Sequence, residues 1–150
     1  MQSTPHQLHS RTAPSRRADV IPRDEHQARV FLAMALRIAR ANGWQLHIFN
    51  HISLRVPGEP EHFLFKRHDQ LFEEVTASSL IKINMQGEPV GHTDNVNPAG
   101  YNIHAAVLKA RPDLNCVIHT HTTEGQAVGA TGKGLLPLTQ SAMRFYQRIG

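Results

Sequence analysis

The residues best suited to chemistry lie in Asp113-Leu114-Asn115-Cys116-Val117-Ile118-His119-Thr120-His121. This stretch reads as a short apolar strand that carries two histidines, two positions apart, to its end. Strand side chains alternate faces, so His119 and His121 are expected on one face and Thr120 on the other. Two imidazoles side by side on a rigid strand are half of a first-row metal site. The same pattern also suits a polar strand end whose histidines meet solvent or backbone, because His-x-His is a short motif. Cys116 is the one cysteine; it excludes an internal disulfide and fits a reducing compartment, the cytoplasm. Inside an apolar strand it reads as a small buried hydrophobe rather than a nucleophile.

Periodicity defines the elements that must hold this strand. A helix is predicted from about Glu25 to Ala41, with Asp24 as N-cap, Gln27 completing a capping box, and Asn42-Gly43 as the stop. Phe31, Met34, Ala35 and Ile38 follow its core-facing stripe. From Trp44 to Val90 the period is two. His51–Val56 and His62–Lys66 flank the turn Pro57-Gly58-Glu59-Pro60 as an antiparallel pair. Phe72 to Ser79 reads as a helical turn or loop, and Ile81, Ile83 and Met85 alternate in a further strand. Pro98 starts a second helix with Ile103, Ala106, Val107 and Ala110 on one face, ended by Arg111-Pro112-Asp113. Thr122 or Thr123 caps a third, short helix. Strands followed by helix–strand–helix argue a layered α/β domain with a largely antiparallel sheet.

Composition bounds the class. A chain of 150 residues with 40% apolar and 19% charged content suits one globular domain. No apolar run approaches the roughly 18 to 20 residues of a membrane span, so no membrane partner is expected. The net charge is +4, but Arg11, Arg16 and Arg17 against Asp19 place +2 of it within residues 1–22. Without a basic stripe interleaved with aromatics, nucleic acid is not an expected partner. Residues 1–22, rich in Pro, Ser and Thr, read as a disordered basic leader.

With these elements in place, four stretches resemble the class II aldolase/adducin family. They are Asn50-His51-Ile52-Ser53-Leu54-Arg55; Leu71 to Leu80 followed by Ile83-Asn84-Met85-Gln86-Gly87; Asn97-Pro98-Ala99-Gly100-Tyr101 with His104; and Ala110-Arg111-Pro112-Asp113 through His119-Thr120-His121. The resemblance spans residues 25–150 and implies a layered αβα sandwich over 23–150, truncated at its C-terminus. It implies that His119 and His121 are metal ligands, most readily for Zn2+. The third ligand then lies beyond this chain, since none of His51, His62, His92 or His104 matches it. It further implies aldol cleavage of a small hydroxylated carbonyl or sugar-phosphate compound, with the metal polarising the carbonyl. His51 and Ser53 are implied substrate-binding residues, or plain residues on an exposed strand face. His104 is implied as a donor beside the site, or as a satisfied structural histidine. The family's catalytic glutamate falls at Gly100 and the serine before it at Ala99, while the phosphate loop is altered at Lys66-Arg67-His68-Asp69. The catalytic acid/base therefore has no assignment; Glu73 and Glu74 are acidic candidates or members of a solvated loop. The resemblance also implies a homo-oligomer, a ring tetramer. A non-catalytic, adducin-like interaction module, or an inactive fragment, is the alternative function.

Overall fold

The computed structural model describes residues 21–91 and 96–149. The expected leader over residues 1–22 thus lies, apart from its last two residues, outside the described residues.

Helix α1 (Glu25–Ala41) begins where Asp24 accepts a hydrogen bond from the Gln27 amide at 2.8 Å. The Gln27 side chain reaches back to the Arg23 amide, one residue earlier than a capping box requires. Gly43, at φ +71°, takes the left-handed conformation that ends the helix. Strands β1 (His51–Val56) and β2 (Glu59–Phe65) form a hairpin over Pro57-Gly58, so the turn is two residues shorter than expected. A 3₁₀ turn (Phe72–Glu74) precedes β3 (Ile81–Asn84). Helix α2 (Pro98–Ala110) follows, with Asn97 as its N-cap, then β4 (Cys116–His119), α3 (Thr123–Gly129) and α4 (Gln140–Met143).

The sheet order is β3-β2-β1-β4, with every neighbouring pair antiparallel. Strand alternation divides its residues between two cores. Ile52, Val56 and Leu64 pack with Ala28, Leu32, Leu36 and Ala39 of α1 and with Phe72. Phe63, Phe65, Ile81 and Ile83 pack on the other face with Ala105 and Leu108 of α2. The result is the αβα sandwich.

Both long helices bury a different face from the expected one. On α1, Met34 and Ile38 are 48% and 59% exposed, while Ala28, Leu32, Ala33, Leu36 and Ala39 are buried. The small alanines of this stripe let the helix backbone approach the sheet closely. On α2, Ile103 is 51% exposed and His104 is fully buried. A histidine can displace an isoleucine from the interior only if its ring nitrogens are satisfied there. They are, as the site geometry below shows. Cys116 also departs from expectation: it is exposed, on an edge strand that α1 does not cover. The apolar groove of Phe31, Ala35 and Ile52 beside it still desolvates the thiol and raises its pKa.

Candidate functional site

β1 and β4 build the site together. Their register places His51 opposite His119 and Ser53 opposite Val117. These residues face the α2 side of the sheet, while Ile52 faces the α1 side. α2 then brings His104 down onto β1. His104 Nδ1 lies 2.6 Å from Ser53 Oγ, and His104 Nε2 lies 3.1 Å from His51 Nδ1. The His51 ring stacks on His119, with centroids 4.9 Å apart and planes 17° apart. His119 Nε2 in turn lies 2.8 Å from His121 Nε2. Four imidazoles and one hydroxyl therefore form a continuous row.

The strand that was to present both histidines ends at His119. His121 sits beyond it, yet its ring still converges on that of His119. Thr122 stabilises this exit by accepting from the Gly125 amide at the start of α3, and Gln126 donates to the His121 carbonyl.

Burial sets the protonation of the row. His51 is 4% exposed and its pKa is pushed down to about 3, first by desolvation and then by the neighbouring His104 and His119. Desolvation lowers His104 to about 4, and it lowers His119 together with the adjacent His121. His51, His104 and His119 are thus neutral near pH 7, which leaves lone pairs for a metal or for hydrogen bonds. The converging Nε2 atoms of His119 and His121 fit two imidazole ligands of a Zn2+-type ion. Among the described residues, no group of three His, Cys, Asp or Glu side chains is gathered to hold a metal.

Beside His121 opens a cleft of about 530 Å³ whose walls include Trp44, Gln45, Thr123 and Glu124. A second cavity, of about 280 Å³, lies at the Pro57-Gly58 hairpin, the opposite end of β1 from the histidines. Asn50, fully buried just before β1, accepts from the Leu46 amide, and its Nδ2 has no hydrogen-bond partner among the described residues.

The remaining candidates are placed elsewhere. Glu73 meets Arg40 at 3.2 Å, and Glu74 caps its own turn by accepting from the Leu71 amide. Neither touches the histidine row, so the loop reading applies to both. His62 pairs with Glu59 at 3.0 Å, and His92 lies outside the described residues. In the altered loop, the buried Lys66 donates to the carbonyls of Arg67 and Gln70. Desolvation lowers its pKa to about 8, against the opposing pull of the Asp69 and Glu74 carboxylates. His51 and Ser53 are buried rather than on an exposed strand face. Gly100 packs against His51 so closely that a Cβ there would lie 2.8 Å from the ring.

The class II aldolase and adducin N-terminal domain family matches residues 31–150, and the chain belongs to it. A Caulobacter vibrioides protein provisionally named an aldolase class 2 protein is 47% identical over 120 residues, covering 79% of this chain and 47% of its own length. Alpha-adducin of Mus musculus is 48% identical over 122 residues, again covering 79% of this chain but 17% of its own length. The crystal structure of an aldolase II superfamily protein from Pseudomonas syringae superposes with a TM-score of 0.80 at 44% identity, covering 88% of this chain and 53% of that one. An L-fuculose 1-phosphate aldolase from Glaciozyma antarctica gives 0.77 at 32% identity, covering 82% and 51%. The chain thus spans about half the length of the aldolase-type relatives it matches.

Proposed function

We propose that this chain forms the metal-binding face of a class II aldolase-type enzyme. Its substrate class is a small hydroxylated carbonyl or sugar-phosphate compound, and its reaction is aldol cleavage. The observation that carries the reading is the convergence of His119 Nε2 and His121 Nε2, 2.8 Å apart, at the edge of an open cleft. These two side chains would hold a divalent ion, Zn2+ foremost, which when bound supplies Lewis acidity toward the carbonyl oxygen. The chain's own residues hold that arrangement in place. The β1–β4 ladder fixes the His119 backbone, the stacked His51 ring fixes its plane, and α3 fixes the exit of His121. The third ligand is assigned to the part of the family's length that this chain does not span. The exposed apolar residues Met34, Ile38, Ile118 and Leu138 support burial against further polypeptide, here proposed as a homotetramer. The proposed compartment is the cytoplasm. Among the described residues no helix is long and apolar enough to cross a membrane.

The test is Zn2+ titration by calorimetry of the full chain beside His119→Ala and His121→Ala. Binding near one equivalent that both substitutions weaken at least tenfold supports the site. Wild-type affinity no better than that of either variant rejects it. The coupled activity assay uses L-fuculose 1-phosphate as the first candidate substrate.

One observation favours a second reading, an adducin-like binding module without catalysis. Gly100 has no group to move a proton, and general acid/base groups contribute about 10²–10⁴-fold to rate. Zn2+ binding with no cleavage of any sugar phosphate tested would select that reading.

A further inference from the structure

The row Ser53–His104–His51 has a direction. Each link joins two heteroatoms through one hydrogen, so fixing one end fixes the other. Ser53 is fully buried, and among the described residues the only hydrogen-bond partner of its Oγ is His104 Nδ1, at 2.6 Å. If Ser53 donates, His104 carries its hydrogen on Nε2 and donates to His51 Nδ1 across 3.1 Å. His51 must then carry its own hydrogen on Nε2. If the row runs the other way, the Ser53 hydroxyl hydrogen is buried without an acceptor and His51 Nε2 is left as a bare lone pair. Either direction leaves one hydrogen without a protein acceptor, on His51 Nε2 in the first and on the Ser53 hydroxyl in the second. Ser53 is fully buried while His51 keeps 4% exposure, so the first direction places that hydrogen where leaving it unpaired costs less, and it prevails.

The unpartnered group sits in a particular place. Gly100 packs over the face of the His51 ring, where a Cβ would lie 2.8 Å from both Nε2 and Cδ2 and 3.2 Å from Cε1. Any side chain at position 100 would therefore overlap the ring, while the direction of an Nε2 hydrogen, in the ring plane, is left clear of Gly100. The opposite side of the ring arrangement is held by the stack on His119, one of the two converging histidines.

We propose that Ser53, acting through His104, is a positioning residue that sets His51 in its Nε2–H tautomer, making His51 a neutral hydrogen-bond donor to a substrate oxygen. The inference revises the roles of two residues. His51 contacts substrate, while Ser53 is buried two residues behind it and never does. The tautomer part stands by itself. The substrate-contact part rests on the function proposed above.

The experiment records side-chain ¹⁵N chemical shifts of His51 and His104 in the full chain. It compares wild type with Ser53→Ala and with Ser53→Thr, which retains a hydroxyl. The expected result is Nε2–H on both rings in wild type, a tautomer mixture in Ser53→Ala, and recovery in Ser53→Thr. A wild-type His51 protonated on Nδ1, or a Ser53→Ala spectrum unchanged from wild type, overturns the proposal. Should Ser53→Ala fail to fold, the wild-type tautomer still decides it. A second arm adds dihydroxyacetone phosphate to the Zn2+-treated protein. A downfield shift of the His51 Nε2–H proton, absent in Ser53→Ala, supports the contact. Shifts confined to His119 and His121 overturn the contact alone. No shift anywhere overturns the contact together with the proposed function, and leaves the tautomer result intact.

Discussion

His51 and position 100 share one volume, so glycine at 100 is the condition for the His51 ring to stand where it does. That ring is held on two further sides, by His104 at 3.1 Å and by the stack on His119, and cannot step aside cheaply. Gly100→Ala is therefore expected to lose about 2 kcal/mol of stability by overpacking. The double variant Gly100→Ala/His51→Ala should recover part of this relative to the sum of the two single changes. Urea unfolding measures both, and simple additivity of the pair would show that the two residues do not compete for space. Little of this was legible in the sequence. His-x-His announces itself through spacing, because period two puts both rings on one side. His51 and His104 stand 53 positions apart, and nothing local marks either as the other's partner. Only the packing of α2 on β1 joins them.

Among the elements, β1 does most to organise the site, since its two faces belong to different layers. Ile52 and Val56 close the core under α1, while His51 and Ser53 carry the histidine row. Arg55 ends the second face. It donates to the carbonyls of Leu108 at 2.9 Å and Leu114 at 3.2 Å, and also to that of Pro60. These carbonyls belong to the C-terminal turn of α2, the approach to β4 and the start of β2. One guanidinium thus ties together the elements that position His104, His119 and His51. Arg55→Ala should cost about 3 kcal/mol, on the scale of charge-assisted hydrogen bonds lost from a half-buried site. Arg55→Lys should recover less than half, because an ammonium cannot span the fork. Denaturant midpoints check both, and a loss under about 1 kcal/mol for Arg55→Ala would mean the arginine is merely solvated. None of its carbonyl partners is legible in the sequence, because alternation assigns a residue to a face without saying what covers it. The same limit explains the helices. Caps and stops placed α1 within its observed bounds, yet both helices carry apolar residues on more than one stripe. Close approach by alanines, and satisfaction of a buried histidine, decided between the stripes, and both are tertiary facts.

On the scale of the whole molecule, the αβα sandwich takes a polar row out of water, which ties stability to pH. His51, His104 and His119 all titrate below the ordinary value of 6.5 because burial disfavours their charged forms. The unfolded chain binds protons first as pH falls, so their contribution is complete above about 6.5 and diminishes below it. For His51 and His104 the loss continues down to their folded values, about 3 and 4. Each of these two should forfeit about 2 kcal/mol between pH 7 and pH 5. The paired carboxylates contribute little to that interval. Glu25, held low first by its hydrogen bond from Lys82, has an ordinary value of 4.5, so it stays ionised in both states over most of the range. Unfolding free energies measured by urea at half-unit steps from pH 8 to pH 5, with a chelator present, should be nearly flat above pH 7 and then fall. By pH 5 unfolding should take up more than one proton. An unchanging stability across that range would mean that the histidines are as accessible to protons in the folded chain as in the unfolded one. Their row would then be too open to hold either a fixed tautomer or a preformed pair of metal ligands.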